Sequence, residues 1–149
     1  MKIPLRIIRR FGQPMPFILI TIKAPRVSPM PIEALVDTGS PWIAITPRDI
    51  LRLNLSIKRL RRAKEYPMVS LAGYKFQRYE LQGSVRVKDE ERRVLDVNLP
   101  ISVLWPTKKK MPEEVKHIPS VLGIDFLIAG KFHLYFDPNK RIAFLEKEI

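Results

Sequence analysis

No cysteine occurs in the 149 residues, which excludes disulfides, a thiol nucleophile and thiolate-held metal centres. Histidine is almost as scarce. His117 and His133 stand far apart, and neither a metal site nor a serine triad, both of which need clustered side chains, is read from them. Long apolar runs are missing too. Residues 17–22 form the main early one, too short for a membrane helix and interrupted by Thr21, while Pro4, Pro14 and Pro16 break the stretches around it. Neither a secretory leader nor a membrane span is read from these residues, and a cytoplasmic location is the expectation.

Acidic residues are few, 15 against 27 basic ones, for a formal net charge of +12. Charge of that size attracts polyanions, nucleic acid or an anionic membrane surface among them. The basic clusters Arg9-Arg10, Lys58-Arg59-Leu60-Arg61-Arg62 and Lys108-Lys109-Lys110 are separated along the chain and lack the interleaved aromatics that stack bases, so a solvated surface is the first reading and a polyanion patch the second. With 46% apolar and 28% charged residues the composition is ordinary for a globular chain, and the length suits a single domain over residues 1–149.

Fourteen prolines, only six glycines and many short apolar segments predict an all-β chain with one or two short helices. Residues 3–8 and 17–22 read as strands joined through Gly12 and Pro14. Residues 32–36 lead into Asp37, and residues 42–45 resume as strand after it. Thr46-Pro47-Arg48-Asp49 reads as a helix start, with threonine at the N-cap, proline first and an acid three residues on. Leu71, Ala72, Gly73 and Tyr74 have the composition of a hairpin tip, which glycine supports by taking positive φ. Val85 and Val87 against Leu95, Val97 and Leu99 read as a half-buried hairpin. Residues 105–119, rich in proline and lysine, read as a surface loop. A strand at 120–123, a short helix at 124–129 closed by Gly130 and a final hairpin across Asp137-Pro138-Asn139 complete the expectation.

The chemistry gathers at Ala34-Leu35-Val36-Asp37-Thr38-Gly39-Ser40. Asp-Thr-Gly arises by chance in roughly one chain in thirty of this length, so the weight rests on its context. An apolar run places Asp37 at the mouth of a buried strand, Gly39 lets the backbone lie close to a partner, Thr38 offers a hydroxyl, and Ser40 is placed to orient the carboxylate. The plainer alternative is a β-turn, which Asp37 and Gly39 also suit. A carboxylate there fits water-activating peptide hydrolysis, which needs one ionised acid and one protonated acid facing each other. The motif occurs once, so the second acid has to come from a second copy. Asp125 reads as a structural or capping acid.

These residues resemble the retropepsin-like aspartic proteases, single-domain homodimeric relatives of pepsin. The catalytic loop is matched at residues 34–40, the flap tip by position at Leu71 to Tyr74 within a flap of about 66–80, and the apolar-apolar-glycine segment with its helix at Ser120-Val121-Leu122-Gly123-Ile124-Asp125-Phe126-Leu127. The resemblance implies a closed β-barrel or half-pepsin domain, with Asp37 as catalytic carboxylate, Thr38 locking two loops together and Gly39 binding substrate backbone. It further implies that Leu71, Ala72, Gly73 and Tyr74 close over a peptide, that Ser40 and Trp42 help to line its site, and that the two chain ends form a sheet between subunits. A polypeptide is then the substrate, a second copy the partner, and neither metal nor cofactor is required. Retroviral members often carry an acid two residues after the motif glycine and an arginine after the downstream glycine. Here Pro41 and Ile124 stand there, which favours the cellular branch. Two rivals remain: a dimeric peptide-binding adaptor that cleaves little, and a basic polyanion-binding β domain.

Overall fold

The computed structural model describes residues 1–148. It is mostly strand: β1 (Lys2–Pro4), β2 (Arg6–Arg10), β3 (Gln13–Lys23), β4 (Pro31–Val36), β5 (Ala44–Ile45), β6 (Arg61–Arg62), β7 (Met68–Leu71), β8 (Tyr74–Lys88), β9 (Val94–Pro106), β10 (Ser120–Leu122), β11 (His133–Asp137) and β12 (Ile142–Glu146). Two short helices, α1 (Pro47–Ile50) and α2 (Ile124–Gly130), and 3₁₀ turns at Ile57–Arg59 and Glu113–His117 make up the rest of the regular structure.

The large sheet runs β2-β3-β4-β10-β5-β9-β8-β6, and β3 also pairs with β8 through Thr21↔Arg86, Ile22↔Val85 and Lys23↔Ser84, so the paired strands form a ring. The alternation of apolar and polar side chains turns one face of each strand inward. Ile18, Ile20, Ile22, Val85, Val87, Val97, Leu99 and Ile101 fill the interior, together with Ile32 and Leu122 from neighbouring strands. Gly83 marks the crossing: a Cβ there would sit 2.6 Å from the Lys23 carbonyl oxygen, so only glycine lets β8 lie so close to β3.

Two hairpins close through two-residue turns with both residues at positive φ, Phe11-Gly12 (53° and 75°) and Ala72-Gly73 (52° and 84°). Their mirror-image twist matches the right-handed twist of the strands they join. The predicted tip at residues 71–74 is therefore in place, with Leu71 opposite Tyr74. The expected hairpin of residues 85–99 is present, and its register sets Val85 opposite Val97 and Val87 opposite Leu95.

Several boundaries differ from the sequence reading. The predicted strand 3–8 is broken at Leu5 into β1 and β2, which join different sheets. The strand expected from Trp42 begins only at Ala44. Thr46 does not cap α1 with its side chain. Its hydroxyl donates instead to the Ile118 carbonyl at 2.7 Å, because the residue is fully buried beside β10. The expected loop from residue 105 starts after Pro106, and Val115 inside it is buried. Gly130 is the last residue of α2 rather than its stop. The left-handed residue is Lys131 (φ 57°), whose N–H bonds back into the helix, while Gly130 makes room for the Phe132 ring, which a Cβ would meet at 2.5 Å.

The chain ends pair with each other. β1 lies antiparallel to β12, and β12 to β11, in a separate three-stranded sheet. The Met1 ammonium donates to the Lys147 carbonyl, and the Lys147 N–H donates to the Met1 carbonyl, both at 3.0 Å. The resemblance implied a sheet between subunits for these ends. Within one chain the C-terminal hairpin already supplies the N-terminal strand with a partner. No helix among the described residues is long and apolar enough to cross a membrane.

Candidate active site

Asp37 stands at the open end of β4, on the loop to β5. These two strands do not pair with each other. β10 lies between them, parallel to β4 (Ala34 opposite Ser120, Val36 opposite Leu122) and antiparallel to β5 (Val121 opposite Ala44). The Asp37 N–H extends the ladder one residue further by donating to the Leu122 carbonyl at 3.0 Å. A half-buried carboxylate is thereby fixed at the end of a three-strand floor.

The β-turn reading of the Asp-Thr-Gly tripeptide is seen directly in its geometry. Residues 37–40 form a β-turn closed by the Ser40 N–H on the Asp37 carbonyl at 3.1 Å. Within it the Gly39 N–H donates to Asp37 Oδ1 at 2.8 Å, while Oδ2 accepts no hydrogen bond from the described residues. Gly39 does not need positive φ. Its lack of a side chain matters because a Cβ would come within 3.1 Å of Asp37 Oδ1 and press on the carboxylate. Thr38 and Gly39 are exposed, and the Thr38 hydroxyl has no partner among the described residues.

Ser40 does not touch the carboxylate. Its Oγ donates to the Trp42 carbonyl at 2.8 Å, and its own carbonyl accepts from the Ile124 N–H at 2.9 Å, so its work here is to brace the loop against α2. Gly123 completes that brace. A Cβ at Gly123 would lie 2.5 Å from the Trp42 carbonyl oxygen and 2.7 Å from that of Ser40, so no larger residue fits beneath the loop. Asp125, read as structural, accepts from the Ile43 N–H and the Phe126 N–H through Oδ1, both at 2.8 Å. Burial pushes its carboxyl above the ordinary aspartate value, against the pull of those N–H groups.

Of the expected substrate-contacting residues, Ser40, Trp42 and Leu71 converge on one apolar pocket of about 70 Å³, which Val69, Leu104 and Val121 also line. Ala72, Gly73 and Tyr74 are not part of its wall. Ala72 and Gly73 form the exposed hairpin tip, and Tyr74 packs with Val69, Leu71 and Met111 against the small core of Phe76, Leu104, Val115 and Ile118. The sequence reading missed Val69, Leu104 and Val121, whose apolar character does not separate pocket wall from core.

It also missed Arg78, only 5% exposed. Its guanidinium lies against the Trp42 ring, donates to Ser102 Oγ at 3.0 Å and to the Tyr66 carbonyl at 3.1 Å, and also reaches the Glu65 carbonyl. An arginine among polar neighbours on a strand gives no signal of burial by itself. No cluster of three metal-ligating side chains occurs among the described residues.

No family model matches the sequence, and no curated protein matches it. Among solved structures, a retropepsin-like aspartic protease from Rickettsia conorii aligns over 97% of this chain and 88% of its own, at 21% identity and a TM-score of 0.57. EIAV protease complexed with the inhibitor HBY-793 aligns over 87% of this chain and all of its own, at 16% identity and a TM-score of 0.49. By this likeness over nearly the whole chain, the chain has a retropepsin-like all-β fold.

Proposed function

We propose that the chain is an aspartic endopeptidase, active as a homodimer in which each copy contributes one Asp37. The observation that carries this reading is the Asp37 carboxylate itself: one oxygen held by the Gly39 N–H at 2.8 Å and the other accepting no hydrogen bond among the described residues at the open end of the floor. Two such carboxylates facing each other repel, so the pair holds one proton between them. The ionised partner takes a proton from water while the protonated one polarises the peptide carbonyl. Thr38 and Gly39, exposed on the same turn, are the groups through which two loops would meet and through which substrate backbone would be held. The hairpin of β7 and β8 covers the peptide, and the pocket beside Ser40, Trp42 and Leu71 accepts an apolar side chain.

In the sheet of β1, β12 and β11 the outer edge of β11 has no strand partner among the described residues, whereas on β1 the Lys2 carbonyl already accepts from the Glu90 N–H at 3.2 Å, so it is the β11 edge through which the ends would take part in a dimer. The test is peptide hydrolysis from acid to neutral pH, with a hydroxyl-bearing transition-state analogue and an Asp37→Asn control, alongside sedimentation to read assembly. A bell-shaped profile, inhibition by the analogue and complete loss in Asp37→Asn with assembly retained are expected. Cleavage persisting in the pure Asp37→Asn protein overturns the reading, and tight peptide binding without turnover at any pH would favour the adaptor.

A further inference from the structure

A cleft that shares no wall residue with the pocket beside Asp37 opens between the turn after β3, the 3₁₀ turn at Ile57–Arg59 and the middle of β8, with a volume of about 1000 Å³. We propose that it is a binding site for an acidic peptide segment carrying apolar side chains. Three guanidinium-bearing residues from two stretches of the chain line it: Arg26 after β3, and Arg59 and Arg61, two residues apart. All three are exposed, and none forms an ion pair or side-chain hydrogen bond among the described residues. The one carboxylate in the cleft, Glu80, sits opposite Arg61 in the β6–β8 register but faces Arg78 at 3.7 Å. The cleft therefore presents uncompensated positive charge, where other arginines of this chain, such as Arg6, Arg86 and Arg93, have carboxylates of their own.

The shape of the walls selects among anions. Val27, Leu55, Leu60 and Leu81 give the cleft an apolar floor, and no aromatic ring lines it. Single-stranded nucleic acid relies on aromatic platforms for its bases, which this surface lacks. Alternating carboxylates and aliphatic side chains match it better, carboxylates to the planar forks of the arginines and aliphatic groups to the floor. The lysines of the same stretch, Lys58 and Lys64, are not in the wall. β6, which carries Arg61, is the last strand of its sheet, so its outer edge is free to pair with an extended chain.

The site does not depend on the peptidase reading, and its test reads binding alone. The probe is a fluorescein-labelled Glu-Leu-Glu-Asp-Leu-Glu peptide, followed by anisotropy with the full chain and with its Asp37→Asn variant, which is expected to bind equally. Reversing all three charges (Arg26→Glu, Arg59→Glu, Arg61→Glu) is expected to weaken binding about tenfold or more. Reversing Lys108, Lys109 and Lys110 to Glu should change it less than about twofold. Neutral Arg→Gln replacements at the same three positions give an intermediate loss, and thermal melting checks that each variant is folded. Replacing both leucines of the probe by glycine should weaken it about fivefold through loss of the floor contacts. Equal weakening by the Lys108–Lys110 reversal reduces the effect to net charge and overturns the site. So does indifference to the leucines, loss of binding in Asp37→Asn, or displacement of the peptide by oligothymidylate at equal charge concentration.

Discussion

The Arg78 guanidinium lies 4.1 Å from the centre of the Trp42 ring, joining the strand that carries the hairpin tip to the loop that carries Asp37. Trp42 is in turn tied to that loop through its carbonyl, which accepts from Ser40. Tyr66 packs its ring 5.6 Å from that of Trp42, and its carbonyl accepts from Arg78, so hairpin base, arginine and loop form one unit.

Arg78→Met should therefore cost more than lost charge. The Ser102 hydroxyl and two backbone carbonyls lose their donor, and a cost of about 2 to 4 kcal/mol is expected in urea unfolding. Arg78→Lys keeps the charge but not the planar fork, and about half that cost is expected. A shift of tryptophan fluorescence in the folded variants should accompany both. A cost below about 0.5 kcal/mol for Arg78→Met would show that the buried guanidinium holds nothing together.

Gly123→Ala adds one methyl against two backbone carbonyl oxygens, which flexible side-chain motion cannot relieve. A loss of about 2 to 4 kcal/mol is expected. Because the displaced atoms belong to Ser40 and Trp42, any peptidase activity should fall further than stability alone dictates. Melting temperature and hydrolysis rate at a temperature where the variant is folded separate the two effects.

Ala72 occupies a left-handed conformation that costs a residue with a Cβ, whereas asparagine tolerates it. Ala72→Asn should stabilise the hairpin tip by about 0.5 kcal/mol. Slower amide exchange along β7 and the start of β8 is the readout, and unchanged or faster exchange would refute the turn assignment.

Asp125 sets a pH dependence whose sign follows from its raised pKa. In the folded chain the carboxyl holds its proton more tightly than in the unfolded chain, where the ordinary value is 3.8. Its contribution to stability is thus fully present below 3.8 and is lost as pH rises through the folded value. Asp125→Asn keeps an oxygen for the Ile43 and Phe126 N–H groups without carrying charge. The variant should gain stability relative to the parent as pH rises from acid to neutral, read by denaturant unfolding at a series of pH values.

Asp89 has the opposite sign. Burial alone would raise its pKa, yet hydrogen bonds from the Arg93 side chain and from the Arg93 and Glu91 N–H groups, with the Arg93 charge, hold it below 3.8. Its contribution is present above 3.8 and is lost as pH falls through the folded value. Asp89→Ala should destabilise the turn between β8 and β9 at neutral pH and lose that difference in acid. Persistence of the difference at low pH would exclude the charged contact as its source.

Local pattern alone determined a good deal: the Asp37 turn, the Ala72-Gly73 tip, the half-buried hairpin of residues 85–99 and α2 each follow from side chains close together along the chain. Those features depend on backbone sterics and on the period of two that a half-buried strand imposes. Tertiary structure decided what depends on distant partners. It inserts β10 between β4 and β5, turns the Thr46 hydroxyl from its own helix to Ile118, buries Arg78 under Trp42, and pairs the two chain ends. The reason is physical: a hydrogen bond or an excluded methyl is local in space but not along the chain. A glycine such as Gly123 therefore reveals its necessity only when the carbonyls it accommodates arrive from elsewhere.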